Sequence, residues 1–240
     1  MADPEGALRV LAALKRSPVG NAAVLVGSSG LFGFETSVPA LTEDIDVSVP
    51  EPLVERHGRD IVASLEEQGF EHEPGTATFI ASDGTVFDLL GHGDPRAGDH
   101  IGGTDALRVM VFEDLSRLLD EDEAVADLPQ GGRALTPAGF VVSKLLTERA
   151  HKGMKDKIQA LLVLAERGGD EGFGAEVVRL LRSVDPVRLE DVKAGAQGAF
   201  LFLQRDPTFT DAGAEGYAPV LRQVETGLDR LFSLLEKIHG

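Results

Sequence analysis

Val24-Leu25-Val26-Gly27-Ser28-Ser29-Gly30, followed after a short interval by Thr42-Glu43-Asp44-Ile45-Asp46-Val47-Ser48-Val49-Pro50, is the stretch on which the fold turns. Ala22 to Val26 is a continuous apolar run of buried-strand character, and Gly27-Ser28-Ser29-Gly30 stops it sharply. A short helix is expected from about Ser29, then a loop through Pro39. Ile45 to Val49 alternates at period two, which predicts a strand that Pro50 ends. Asp44 and Asp46 stand two residues apart at its opening, so both side chains leave one face while Ile45 points oppositely into a core.

Working outward, Ala7 to Lys15 has helical spacing, and Glu51 to Gln68 reads as a helix with Val54, Ile61, Val62 and Leu65 as its apolar stripe. Thr76 to Ala81 and Thr85 to Leu90 flank Ser82-Asp83-Gly84, a hairpin signal. Gly91 to Gly103, rich in Gly, Asp and Pro, is expected to be a mobile loop. Past Thr136-Pro137 the character changes: Ala138 to Lys152, Lys155 to Arg167, Ala175 to Arg182, Pro186 to Leu203 and Glu215 to Ile238 all read as helices. The expected architecture is therefore α/β (α+β): a mixed sheet in residues 1–130, then a helical C-terminal domain in residues 131–240.

The chain has 240 residues, 42% of them hydrophobic, enough to bury a substantial core. Its net charge of −17 sets a field that repels nucleic acid and anionic membranes. With no cysteine, any metal must sit on oxygen or imidazole. The opening Met-Ala-Asp-Pro-Glu lacks a basic run followed by an apolar stretch, and no segment approaches the length of a membrane span, which together predict a cytoplasmic protein with no membrane partner. Asp120 to Glu123 reads as a solvated acidic face.

Three carboxylates carry the candidate chemistry. Asp44 and Asp46 can converge on one cation, and Asp88 lies in the otherwise apolar Thr85 to Leu90, where a buried carboxylate needs a partner. Magnesium takes hard oxygen ligands and retains waters, so two or three carboxylates with substrate phosphates would satisfy it; manganese is the alternative ion. At the Gly27-Ser28 turn, glycine lets the backbone approach a phosphate, and the serine hydroxyl can hold its oxygens. Each feature alone is more often a plain turn or a solvated strand end. His92 follows the third acid but reads as incidental, and His57, His72 and His100 show no metal-ligand spacing.

In order and context, Val26-Gly27-Ser28, then Thr42-Glu43-Asp44-Ile45-Asp46-Val47, then Phe87-Asp88-Leu89 resemble the nucleotidyltransferase superfamily of the DNA polymerase beta type, over roughly residues 20 to 92. That resemblance implies a nucleotidyltransferase-like sheet, Asp44, Asp46 and Asp88 as metal ligands, and Asp88 as the acid that helps activate an acceptor hydroxyl. It also implies a nucleoside triphosphate such as ATP held by Gly27 and Ser28. Further on, Pro137, Lys144-Leu145-Leu146-Thr147-Glu148-Arg149 and Lys155-Asp156-Lys157-Ile158 look like the helical part of AbiEii-type abortive-infection toxins. By that likeness Lys144 would steady the triphosphate, and a cognate toxin or antitoxin partner would be expected. Ala40 and Leu41 stand where many members carry a basic residue before the Thr/Ser that precedes the paired acids. The expected acceptor is RNA, a protein or a cationic small molecule such as an aminoglycoside, and the alternative reading is a catalytically inactive nucleotide-binding or antitoxin-like module.

Overall fold

The structure is a computed structural model that describes residues 3–40, 42–129, 131–147, 153–184, 189–205 and 214–239. It divides into two units, Met1–Glu35 with Pro39–Thr136, and Thr36–Val38 with Pro137–Gly240.

The first unit is a mixed sheet with helices. Its strands are β1 (Val24–Leu25), β2 (Asp44–Pro50), β3 (Phe70–His72), β4 (Thr78–Ala81), β5 (Val86–His92), β6 (His100–Gly103), β7 (Arg108–Val111), β8 (Val125–Asp127) and β9 (Arg133–Leu135). They run in the order β3-β4-β5-β2-β1-β9-β8, with β7 pairing β5 and β6 pairing β7. The central strands β2 and β5 are parallel, while β1 and β4 flank them antiparallel. β9 pairs with β1, and the first unit runs on to Thr136.

One face of this sheet is a core. Ile45, Val47 and Val49 of β2 and Phe87 and Leu89 of β5 are fully buried, as period-two alternation requires. They pack against helix α1 (Pro4–Lys15), through Ala7, Val10 and Leu14, and helix α2 (Glu51–Glu66), through Val54, Ile61 and Leu65. The rings of Phe79 and Phe87 stack at 5.0 Å, and Phe70 meets Phe87 edge-on at 5.2 Å. Each such side chain contributes about 1.5–3 kcal/mol by leaving water. α1 begins where the Asp3 carboxylate accepts the Gly6 N–H at 2.6 Å, with Pro4 pre-set for the first turn.

The expected mobile loop at Gly91 to Gly103 is instead structured. β5 continues to His92, and His100–Gly103 forms β6 against β7. Side chains tie it down: Ser116 accepts the Gly93 N–H at 3.1 Å, Asp99 accepts the Glu113 N–H at 2.8 Å, and His100 meets Glu51 at 2.8 Å. Ser116 lies on helix α3 (Glu113–Leu119). The short helix expected at Ser29 is a 3-10 stretch, Gly27–Gly33, packed so closely that a Cβ on Gly33 would meet that of Ala134 at 2.4 Å.

The second unit is helical: α4 (Pro137–Leu146), α5 (Gly153–Arg167), α6 (Glu171–Val184), α7 (Leu189–Arg205) and α8 (Ala214–His239). α5 touches α4, α7 and α8 and buries Ile158, Leu161 and Leu164. At Gly227 the backbone of α8 lies so near α5 that a Cβ would sit 2.0 Å from the Leu161 carbonyl oxygen. Arg230 donates to the Leu164 carbonyl at 2.9 Å, satisfying an end of α5 that has no helical partner. Thr36 and the Ser37 N–H both donate to Glu166, which holds residues 36–38 within this unit. No helix among the described residues is long and apolar enough to cross a membrane.

Candidate metal centre

The face of the first unit's sheet opposite its core carries the acids. Asp46 and Asp88 are direct register partners across the parallel pair β2 and β5, so their carboxylates stand side by side, and Asp44 lies one step along the same face. All three are half-buried, and they offer ligand oxygens within 4.8 Å of one another. Among the described residues this is the one such group of three or more histidines and acids. Three carboxylate donors at that spacing could hold a metal ion, and their oxygens suit a hard cation.

Each acid is held by its neighbours. Thr42 donates to Asp44, its hydroxyl lying 2.8 Å from Oδ1 and 2.9 Å from the backbone carbonyl. Thr78, opposite Asp88 across the antiparallel pair with β4, donates to Asp88 Oδ1 at 2.5 Å. The buried Ser29 hydroxyl accepts the Asp46 N–H at 3.1 Å, and the Val26 N–H donates to the Asp46 carbonyl at 3.0 Å, binding the Gly-Ser turn to the strand that carries the acids.

Gly27 has a reason to be glycine. Its φ of +59° is left-handed, and a Cβ there would lie 2.0 Å from Asp46 Oδ2. The turn thus lies directly against one carboxylate, with Ser28 next to it and 5% exposed. Gly27, Ser28, Asp44, Asp46 and Asp88 are brought together in one unit.

Lys144, expected to steady the triphosphate, belongs to the second unit. It sits on α4, 5% exposed, with its ammonium donating to Asp156 of α5. Lys157 beside it donates to the Thr147 carbonyl at 2.7 Å. Glu148 and Arg149, quoted with Lys144 in one motif, lie outside the described residues.

His92 ends β5 on the acid face, with Nδ1 2.9 Å from the buried Ser48 hydroxyl. Burial lowers its pKa to about 4, helped by the Arg133 charge and opposed by Asp120, so it is a neutral imidazole at pH 7. Thr78 and Ser29 are the site residues that sequence reasoning passed over. Only strand register shows that Thr78 faces Asp88, and only the tertiary turn brings Ser29 to Asp46. No family model, curated protein or solved structure matches the chain.

Proposed function

We propose that this protein is a magnesium-dependent nucleotidyltransferase, moving a nucleoside monophosphate from a triphosphate to an acceptor hydroxyl. One observation carries the reading: Asp44, Asp46 and Asp88 converge within 4.8 Å on the sheet face opposite the core, with the Gly27 turn against Asp46. The resemblance of those segments to the DNA polymerase beta type superfamily supports it further. When bound, a divalent cation would offset the charge that develops on the attacking and leaving oxygens of the transfer. Asp44 and Asp46 would hold the cation, with Asp88 as the third ligand. As the acceptor oxygen bonds to the α-phosphorus and pyrophosphate leaves, Asp88 takes the hydroxyl proton. Gly27 and Ser28 would meet the phosphates.

The acceptor chemistry has its own support. Residues 1–136 carry 25 Asp and Glu against nine Lys and Arg, whereas residues 137–240 carry 15 against 14. A field so negative around the acids favours a cationic acceptor, a basic protein segment or an aminoglycoside-like molecule, over RNA. The test is incubation with each labelled nucleoside triphosphate, magnesium and RNA, cell protein or aminoglycosides, alongside the Asp44→Asn/Asp46→Asn variant. Label transferred by the wild type alone supports the enzyme and names its acceptor. Nucleotide bound without transfer to any acceptor supports the inactive-module reading instead.

A further inference from the structure

Three carboxylates gathered on one face repel one another, so the cation-free protein must hold them by other means. Asp44 has Thr42, and Asp46 lies against the Gly27 turn. For Asp88 the means comes from the neighbouring strand. Asp46, Asp88 and Thr78 stand in one cross-strand row, because β5 pairs with β2 on one side and β4 on the other. The Leu89 N–H donates to the Ala77 carbonyl at 2.9 Å, which fixes the register that sets Thr78 opposite the acid. A hydroxyl has one hydrogen, and that of Thr78 goes to Asp88 Oδ1.

From this geometry we infer that Thr78 is a positioning residue for the metal site. Its hydroxyl orients the Asp88 carboxylate toward Asp44 and Asp46 before the cation arrives and leaves the remaining lone pairs to the cation. The inference rests on the metal-site reading above. Partners of this kind, which touch a ligand rather than the metal, govern affinity in other metal centres. Threonine suits the position on two counts: its β-branch fits a strand, and its hydroxyl reaches across one strand spacing.

The experiment is Mn2+ binding to the full chain, followed by electron paramagnetic resonance, for wild type, Thr78→Val and Thr78→Ser, with the Tm of each cation-free protein. Valine keeps the shape and removes the hydroxyl; serine keeps the hydroxyl. Thr78→Val is expected to weaken Mn2+ about tenfold or more and Thr78→Ser to stay within about twofold of wild type. If Thr78→Val does not fold, Thr78→Ala carries the same expectation. On an Asp88→Asn background, Thr78→Val should add no further loss, since the group it positions is gone. Equal affinity in wild type and Thr78→Val, or an equal loss in Thr78→Ser, overturns the role of Thr78 and leaves the metal site standing. No Mn2+ bound by the wild type overturns the metal-site reading and this inference with it.

Discussion

Replacing Gly27 by alanine separates backbone strain from damage to the acid cluster, because Gly20 supplies a matched control. Both glycines are left-handed, at φ +59° and +60°. A Cβ on Gly20 meets nothing within 4 Å, whereas one on Gly27 lies 2.0 Å from Asp46 Oδ2, 2.7 Å from Cγ and 2.9 Å from Cβ. Forcing an L-residue into that backbone region costs roughly 1–2 kcal/mol at either site, about 3–8 °C in Tm for a domain of this size. Rotating the Asp46 side chain relieves the contact with its oxygen but not the one with its Cβ, so Gly27→Ala must also displace β2 or the turn. Gly20→Ala should therefore lower Tm by the strain alone and leave Mn2+ affinity unchanged. Gly27→Ala should lower Tm further and weaken Mn2+ by about tenfold or more, at least the loss typical of a missing supporting contact. Thermal melts and Mn2+ titration of both variants measure this. Wild-type Mn2+ affinity in Gly27→Ala would refute the close packing of turn and acid.

Two further outcomes follow from buried groups. The His92 pKa is about 4 in the folded protein against 6.5 for a solvated imidazole, so between those values the unfolded chain binds more protons and stability falls as pH falls. The loss should approach about 3 kcal/mol by pH 4, and His92→Gln should flatten that limb in denaturant titrations across pH. Removing the buried Lys144 ammonium strands the Asp156 carboxylate, so Lys144→Ala should cost about 3–5 kcal/mol in chemical denaturation. The double replacement Lys144→Met/Asp156→Leu should recover most of it; no recovery would show that the pair is not the reason.

Much of the first unit was legible because its signals are local. Ile45 to Val49 alternates, Asp83-Gly84 turns the hairpin, and the apolar stripe of α2 has helical spacing. β6 was not legible: His100-Ile101-Gly102-Gly103 has two residues without side chains, so no alternation can appear, and its pairing with β7 decides its conformation. β8 and β9, at three residues each, are too short for periodicity to register. The acids were legible as Asp-x-Asp and a later acid in an apolar strand, while the contacts that hold them depend on register and turn geometry. The burial of Lys144 escaped for a similar reason, since its partner Asp156 lies on the next helix, 12 residues on.

The most direct measurement of the central claim is equilibrium binding of Mn2+, with and without ATP, to the wild type and to Asp44→Asn/Asp46→Asn. Nucleotide belongs in the titration because magnesium-type sites complete their coordination with substrate phosphates. The account predicts saturable binding by the wild type, tightened by ATP, and its loss in the variant at an unchanged Tm. Undiminished binding in the variant, or none by the wild type with ATP present, would contradict it.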